Sequence, residues 1–245
     1  MIRPNKALPK GVVFDLDDTL YPQHEFKRSG FRAVGAWLEE RQLALGSTVI
    51  AVLEDIMRRS GPSQPRMFDQ AVNMLGLPGL EVAELGTVFR RHRPSIALYP
   101  GVSQMLRRLR TNMQLGLLTD GLASVQRNKV AVLGLEPLID RVVFSDALET
   151  SKPDATLFAG FEMAFGLDGS ELMYVGDNPA KDFVGARARG WQTVRVGTGE
   201  HATSHPPTSA YAADHDIAAV TDLVDVIAQL SHATQSSLQH PLNAG

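Results

Sequence analysis

The stretch Gly11–Pro22, GVVFDLDDTLYP, decides how the rest of the chain is read. Three apolar residues, Val12, Val13 and Phe14, run directly into three acids, Asp15, Asp17 and Asp18. A short apolar run that stops at charge suits a strand buried on both faces. Carboxylates this close repel and raise one another's pKa unless something compensates. The acids are therefore either solvated turn residues or the wall of a cation site.

Further short β-like runs follow at Gln114–Leu118, Arg141–Phe144, Leu172–Val175 and Thr193–Val196. Helical patterns lie between them. Ser103–Asn112 places Met105, Leu106 and Leu109 on one side. Leu122–Leu135 carries Val125, Val132 and Leu133 with charge between. Asp154–Leu167 repeats Leu157, Phe158, Phe161 and Phe165 at helical spacing, the mark of a buried face. Strand and helix alternate from residue 101 to 196, which predicts an α/β domain with a Rossmann-like parallel sheet and right-handed crossovers.

The segment between the first strand and the rest breaks this alternation. It holds only helical pattern: Phe31, Val34, Trp37 and Leu38 share one face, and Ser47–Gly61 starts with a serine cap and stops at glycine. Two more helical stretches, Arg66–Gly76 and Leu80–Arg93, follow. The expectation is a small α-helical cap domain over residues 23–94, inserted into a core made of residues 1–22 and 95–230, with hinges at Tyr21–His24 and Pro94–Gly101. Gly197–Asp216 reads as loop, Ile217–Leu230 as a closing helix, and residues 231–245 as a frayed or disordered tail.

Composition narrows the function classes. The chain has 245 residues, a net charge of −3 and no cysteine, which excludes disulfides and thiolate metal sites and offers no basic field for nucleic acid. It lacks an apolar run of spanning length, and the N-terminal stretch has no signal-like core, so the expected setting is soluble and cytoplasmic, with no membrane partner.

Ligands of open parallel sheets sit beyond the carboxyl ends of the strands. Asp15, Asp17 and Thr19 follow the first strand, Thr119-Asp120-Gly121 the second, Ser151-Lys152-Pro153 comes after the third, and Asp177, Asn178 and Asp182 follow the fourth. Several carboxylates about one point call for a hard divalent cation, and an all-oxygen donor set favours Mg²⁺ over zinc. Mg²⁺ shares substrate phosphate readily. Lys152 adds positive charge, while Thr119 and the backbone N–H groups near Gly121 are suited to phosphate oxygens. Two acids two residues apart on an extended strand point the same way, so one of Asp15 and Asp17 can attack while the other handles protons. Asp18 reads as a turn residue, Arg90–Arg93 as a solvated helix end, and Trp37 as core of the helical segment. Tyr21 is a candidate to line the opening of the cap.

With these residues in place the chain resembles the haloacid dehalogenase (HAD) superfamily, in its phosphatase branch with a helical cap after the first motif. The matching motifs are DLDDT (Asp15–Thr19), LGLLTDG with Thr119, SKPD with Lys152, and GDNPAKD with Asp177 and Asp182. They occur in the family's order over roughly residues 11–230. The resemblance implies a sheet order of 5-4-1-2-3. It also implies that Asp15 is nucleophile and Mg²⁺ ligand, and that Asp17 is general acid then base, with its backbone carbonyl on the metal. Asp177 would complete the metal site, and Asp182 would support it through water or by holding Lys152. Thr119 and Lys152 would bind the transferring phosphoryl group. Many relatives carry Asn where this chain has Asp120; an ionised carboxylate cannot donate a hydrogen bond there. Asp120 is accordingly a candidate to pair with a cation or to contact substrate, beside Gly121.

The implied activity is Mg²⁺-dependent hydrolysis of a small phosphorylated metabolite, a phosphomonoester, through an aspartyl-phosphate. Alternatives from the same superfamily are a sugar-phosphate mutase, which uses the same motifs, and a haloacid dehalogenase, which needs neither metal nor the second acid. A phosphonate hydrolase would use a cap lysine, for which Lys27 is the one candidate. A non-catalytic binding or scaffold protein is the alternative of another class, and the intact acids argue against it.

Overall fold

The computed structural model describes residues 8–61 and 64–238. The chain divides into two compact units, one formed by Met1–Tyr21 with Leu98–Gly245 and the other by Pro22–Ala97.

The first unit is built on a sheet of six parallel strands: β1 (Gly11–Phe14), β2 (Gln114–Thr119), β3 (Arg141–Phe144), β4 (Leu172–Gly176), β5 (Gln192–Val196) and β6 (His215–Ile217). Their order is β3-β2-β1-β4-β5-β6. The expected five-strand order is present, with β6 added beside β5. That addition corrects the reading of Gly197–Asp216 as loop. Strand β6 has three residues, none of them fully buried, so it offers no apolar run to detect. By contrast β1 and β4 are buried at every position, as strands covered on both faces must be.

The register fixes the site. Phe14 of β1 stands opposite Leu117 of β2 and Val175 of β4. Strand β1 stops there, β4 runs one residue further to Gly176 and β2 two further to Thr119, and the Asp15 N–H still donates to the Val175 carbonyl at 2.8 Å. The ends of β1, β2 and β4 thus deliver Asp15, Thr119 and Asp177 side by side.

The crossover helices of this unit are α5 (Val102–Arg110), α6 (Ala123–Val132), α7 (Ala155–Phe165) and α8 (Val184–Ala188), and α9 (Leu223–Leu238) follows the last strand. The apolar stripe of α7 packs as its spacing requires: Leu157, Phe158, Phe161 and Phe165 join Val13, Leu118, Tyr174, Phe183 and Trp191 in one core. Trp191 meets Phe158 edge-on with ring centroids 5.5 Å apart, and its indole N–H donates to Glu162. The Asp154 side chain caps α7 by accepting from the Thr156 N–H at 2.9 Å. The final helix also departs from expectation, because α9 continues through residues 231–238; the remaining tail residues 239–245 lie outside the described residues, as do residues 1–7.

The second unit holds α1 (Gln23–Glu40), α2 (Gly46–Ser60), α3 (Met67–Met74) and α4 (Val82–Arg91). Phe31, Val34 and Leu38 of α1 pack with Val49, Leu53 and Ile56 of α2, Ala71 and Val72 of α3, and Leu85 of α4. Helices α1 and α2 approach closely where both present glycine: a Cβ on Gly35 would stand 2.9 Å from the Gly46 carbonyl oxygen. The predicted serine cap of α2 is not used. The helix begins at Gly46, and the Glu39 carboxylate accepts from the Gly46 N–H at 3.3 Å, taking over the role of Ser47. The helix stops as expected at Gly61, with φ 82°.

Candidate active site

The centre of the site is an amine with no solvent exposure. The Lys152 ammonium donates to Asp15 Oδ1 at 2.5 Å, to Asp182 Oδ1 at 2.7 Å and to the Tyr174 hydroxyl at 3.0 Å. Burial alone would lower the pKa of Lys152, but the Asp15 and Asp182 carboxylates overcome it and hold the group well above its ordinary value. Lys152 is therefore a fixed positive charge. It fixes in turn the direction of the Asp15 carboxylate. Asp182 uses its second oxygen to accept from the Asn178 N–H at 2.8 Å, and it lies so close to Gly176 that a Cβ there would meet its carboxylate. The strand end must be glycine for this acid to fit.

Asp177 completes the group. One carboxylate oxygen from each of Asp15, Asp177 and Asp182 lies within 4.8 Å of the others, and all three residues are buried. One lysine does not balance three acids in so small a volume. Burial and the neighbouring acids push Asp177 up to about 9. Asp15 rises to about 6, driven by burial and Asp182 against the opposing pull of Lys152. Among the described residues the grouped candidate ligands are all carboxylates, and their unmet negative charge fits a hard divalent cation such as Mg²⁺.

Asp17 has a different set of partners. Strand β1 ends at Phe14, and Asp18 adopts a left-handed conformation at φ 56°. The rule that alternate residues share a face ends with the strand, and the carboxylates of Asp15 and Asp17 meet different partners. Asp17 accepts from the Lys129 ammonium at 2.7 Å and 3.0 Å, from the Gln126 amide at 2.8 Å, and from the Tyr21 hydroxyl. Burial raises its pKa, but Lys129 and these hydrogen bonds win and hold it below the ordinary carboxylate range. Gln126 also donates to Thr119 Oγ1 at 2.5 Å and to the Asp120 carbonyl at 2.8 Å, tying the first motif to the second.

Several sequence candidates have clear placements. Tyr21, expected to line an opening, is fully buried with its hydroxyl directed at Asp17. Asp120 accepts from Ser145 Oγ at 2.7 Å, from the Lys152 N–H at 3.2 Å and from the Lys181 ammonium at 3.1 Å. Burial opposes its ionisation, but Lys152, Lys181 and these bonds keep its pKa low. Gly121 takes φ 106°, a left-handed value that lets the chain turn into α6. Asp18 is a turn residue, and its carboxylate also accepts from the Glu200 N–H at 3.0 Å, fastening the loop after β5.

Sequence reading missed Gln126, Lys129 and Tyr174. Gln126 and Lys129 stand three apart on α6 and are buried, with side chains at the strand ends. The available signal was positional: α6 begins directly after the second motif, so its first turns must lie beside the carboxyl end of β2. Tyr174 reads as an ordinary core residue of β4.

A parallel sheet whose strand ends gather carboxylates around one buried lysine defines a class of hydrolase. Comparison with known proteins gives the family. Residues 12–196 match the model of the haloacid dehalogenase-like hydrolases, and the chain belongs to that family. Over 230 residues, 91% of this chain and 98% of the relative, it is 30% identical to the glyceraldehyde 3-phosphate phosphatase of Methanopyrus kandleri. Over 148 residues, 60% of this chain and 59% of the relative, it is 36% identical to the phosphoserine phosphatase of Thermus thermophilus. Among solved structures, the magnesium-bound HAD-hydrolase YfnB of Bacillus subtilis superposes with a TM-score of 0.66 at 17% identity, covering 90% of this chain and 99% of that one. A 2-haloacid dehalogenase of Pseudomonas syringae pv. Tomato gives a TM-score of 0.59 at 25% identity, covering 90% and 99%. No helix among the described residues is long and apolar enough to cross a membrane.

Proposed function

We propose that the chain is a Mg²⁺-dependent phosphatase that hydrolyses a small phosphomonoester in two steps through Asp15. The observation that carries this reading is the buried array in which Lys152 holds Asp15 and Asp182 while Asp177 closes the acidic cluster. Asp15, Asp177 and the backbone carbonyl of Asp17 would hold the cation, with Asp182 in support. When bound, Mg²⁺ supplies positive charge that offsets the repulsion between the acids and the phosphoryl oxygens.

In the first step an Asp15 carboxylate oxygen attacks phosphorus. The bond from phosphorus to the leaving oxygen breaks, its electron pair stays on that oxygen, and Asp17, ionised in the free protein, passes on to it a proton taken up with the substrate. In the second step water attacks phosphorus and loses its proton to Asp17. The bond from Asp15 to phosphorus breaks, returning the pair to the carboxylate and releasing phosphate. Lys152 and Thr119 orient the phosphoryl group, and catalysis is mainly positioning and charge neutralisation. A carbon–halogen hydrolase has no use for a cation or a second acid. The strongly raised Asp177 and the tightly held Asp17 support the phosphatase reading over that one.

Similarity to the Methanopyrus kandleri enzyme across nearly its whole length makes glyceraldehyde 3-phosphate the first substrate to test, followed by phosphoserine. Phosphate release from a panel of phosphorylated metabolites is measured with Mg²⁺ and with EDTA, for the native protein and Asp15→Asn. Release that needs Mg²⁺ and disappears in the variant is expected. Equal release by both proteins would refute the assignment.

A further inference from the structure

Both Asp17 oxygens are engaged at once: Oδ1 by Lys129 at 2.7 Å and by the Tyr21 hydroxyl, Oδ2 by Gln126 at 2.8 Å and by Lys129 at 3.0 Å. A carboxylate gripped at both oxygens by donors from two directions cannot rotate freely about its terminal bond. The donors are themselves confined. The Lys129 side chain is 5% exposed and Gln126 is 2% exposed as a residue. A buried lysine and glutamine on the inner face of a helix are unfavourable without a use for their polar groups. The Gln126 amide also reaches Thr119 Oγ1 at 2.5 Å, so the same side chain sets the relative placement of Asp17 and Thr119.

We propose that Lys129 and Gln126 are positioning residues for Asp17, aiming its carboxylate at the water that attacks the phosphorylated Asp15. The inference rests on the two-step phosphatase reading above. In the step concerned, the water oxygen bonds to phosphorus, the water proton passes to Asp17, and the bond from Asp15 to phosphorus breaks with its electron pair returning to Asp15. Neither Lys129 nor Gln126 is placed at the reacting atoms; Lys129 acts through Asp17, and Gln126 through Asp17 and Thr119. A misplacement of about 1 Å in such a group lowers the rate by about 10²-fold.

The test uses 4-nitrophenyl phosphate with Mg²⁺, because its leaving group departs without a proton. Formation of the phosphorylated Asp15 is then independent of Asp17, and only its breakdown depends on it. Rapid-mixing traces are recorded for the native protein, Lys129→Met, Gln126→Met, Asp17→Asn and the double variant Asp17→Asn/Lys129→Met. The expected result for Lys129→Met and Gln126→Met is an early release of about one 4-nitrophenolate per enzyme, then a steady rate lowered about tenfold or more. The double variant is expected to be no slower than Asp17→Asn alone, since Lys129 acts through that residue.

Three results overturn the inference. One is an unchanged steady rate. Another is a lowered rate without the early release, which signals general damage to the site. The third is a further loss from Lys129→Met in the Asp17→Asn background. Gln126→Met removes hydrogen bonds without removing a charged side chain and keeps a similar length, so it carries the test if Lys129→Met does not fold. A native protein that releases no 4-nitrophenolate, or an Asp15→Asn variant as active as native, brings down the phosphatase reading itself, and the inference with it.

Discussion

The cation-free protein is expected to lose stability as pH rises from 6 to 8, and Mg²⁺ is expected to abolish that loss. The perturbation is carried by Asp177, whose pKa stands at about 9 in the folded chain against 3.8 as its ordinary value. Between those values the folded state holds a proton that the unfolded state has released. Unfolding therefore releases a proton, and stability falls with pH by roughly 1.4 kcal/mol per unit. Asp15, at about 6, adds to the slope only at the lower end of the window. From pH 6 to 8 Asp177 alone accounts for about 3 kcal/mol. In a chain of this size each kcal/mol moves the melting temperature by about 2–4 °C, so a fall of roughly 5–10 °C is expected in EDTA. A saturating cation binds the ionised cluster, so the Mg²⁺-dependent rise in melting temperature is larger at pH 8 than at pH 6. Scanning calorimetry at pH 6, 7 and 8, with EDTA or Mg²⁺, measures both slopes. Asp177→Asn provides the control, because an amide does not titrate: it is expected to lack both the excess slope and the response to Mg²⁺. If native protein and Asp177→Asn lose stability in parallel in EDTA, the crowded carboxylates are not the cause and the reasoning fails.

Three further outcomes follow from packing and hydrogen bonding. Gly199→Ala places a Cβ against the Asp18 side chain at φ 68°, and is expected to destabilise by about 1–3 kcal/mol, read as a lower melting temperature; no shift would mean the loop after β5 is free to move away. Leu53→Ala empties a fully buried position among the four inserted helices and is expected to lose about 2–5 kcal/mol in urea unfolding of that unit; a loss below that range would show that the bundle collapses into the space. Asp120→Asn keeps an acceptor for Ser145 and the Lys152 N–H and removes the ion pair to the partly exposed Lys181 together with the attraction of the Lys152 ammonium, so its expected loss is about 1 kcal/mol. Asp120→Ala strips all three donors of their acceptor and is expected to lose about 1–3 kcal/mol more; equal losses would mean that those hydrogen bonds contribute nothing.

The legible part of the site is the part that lies at strand ends. Asp15, Thr119 and Asp177 each follow an apolar run short enough to be a buried strand, and parallel registration alone brings such ends together. Lys152 was legible through its place after the third strand and through the family's motif order, because nothing local distinguishes a lysine in a loop from one with no solvent exposure. Asp17 marks where the local rule gives out. Two residues along a strand would have given it the partners of Asp15, but the strand has already ended and Asp18 turns the chain the left-handed way. Its partners come from α6, whose inner face at that end carries an amide and an ammonium rather than an apolar stripe. Periodicity detects burial by counting apolar side chains, so a helix that buries polar groups against a catalytic carboxylate is silent to it. The same blindness explains β6, with its half-exposed residues, and the replacement of Ser47 by Glu39 at the start of α2, a contact seven residues away in sequence. What links these misses is that each depends on a partner supplied by another element. The sequence pattern reports which face of an element is covered, and the charge on Asp17 is set by what does the covering.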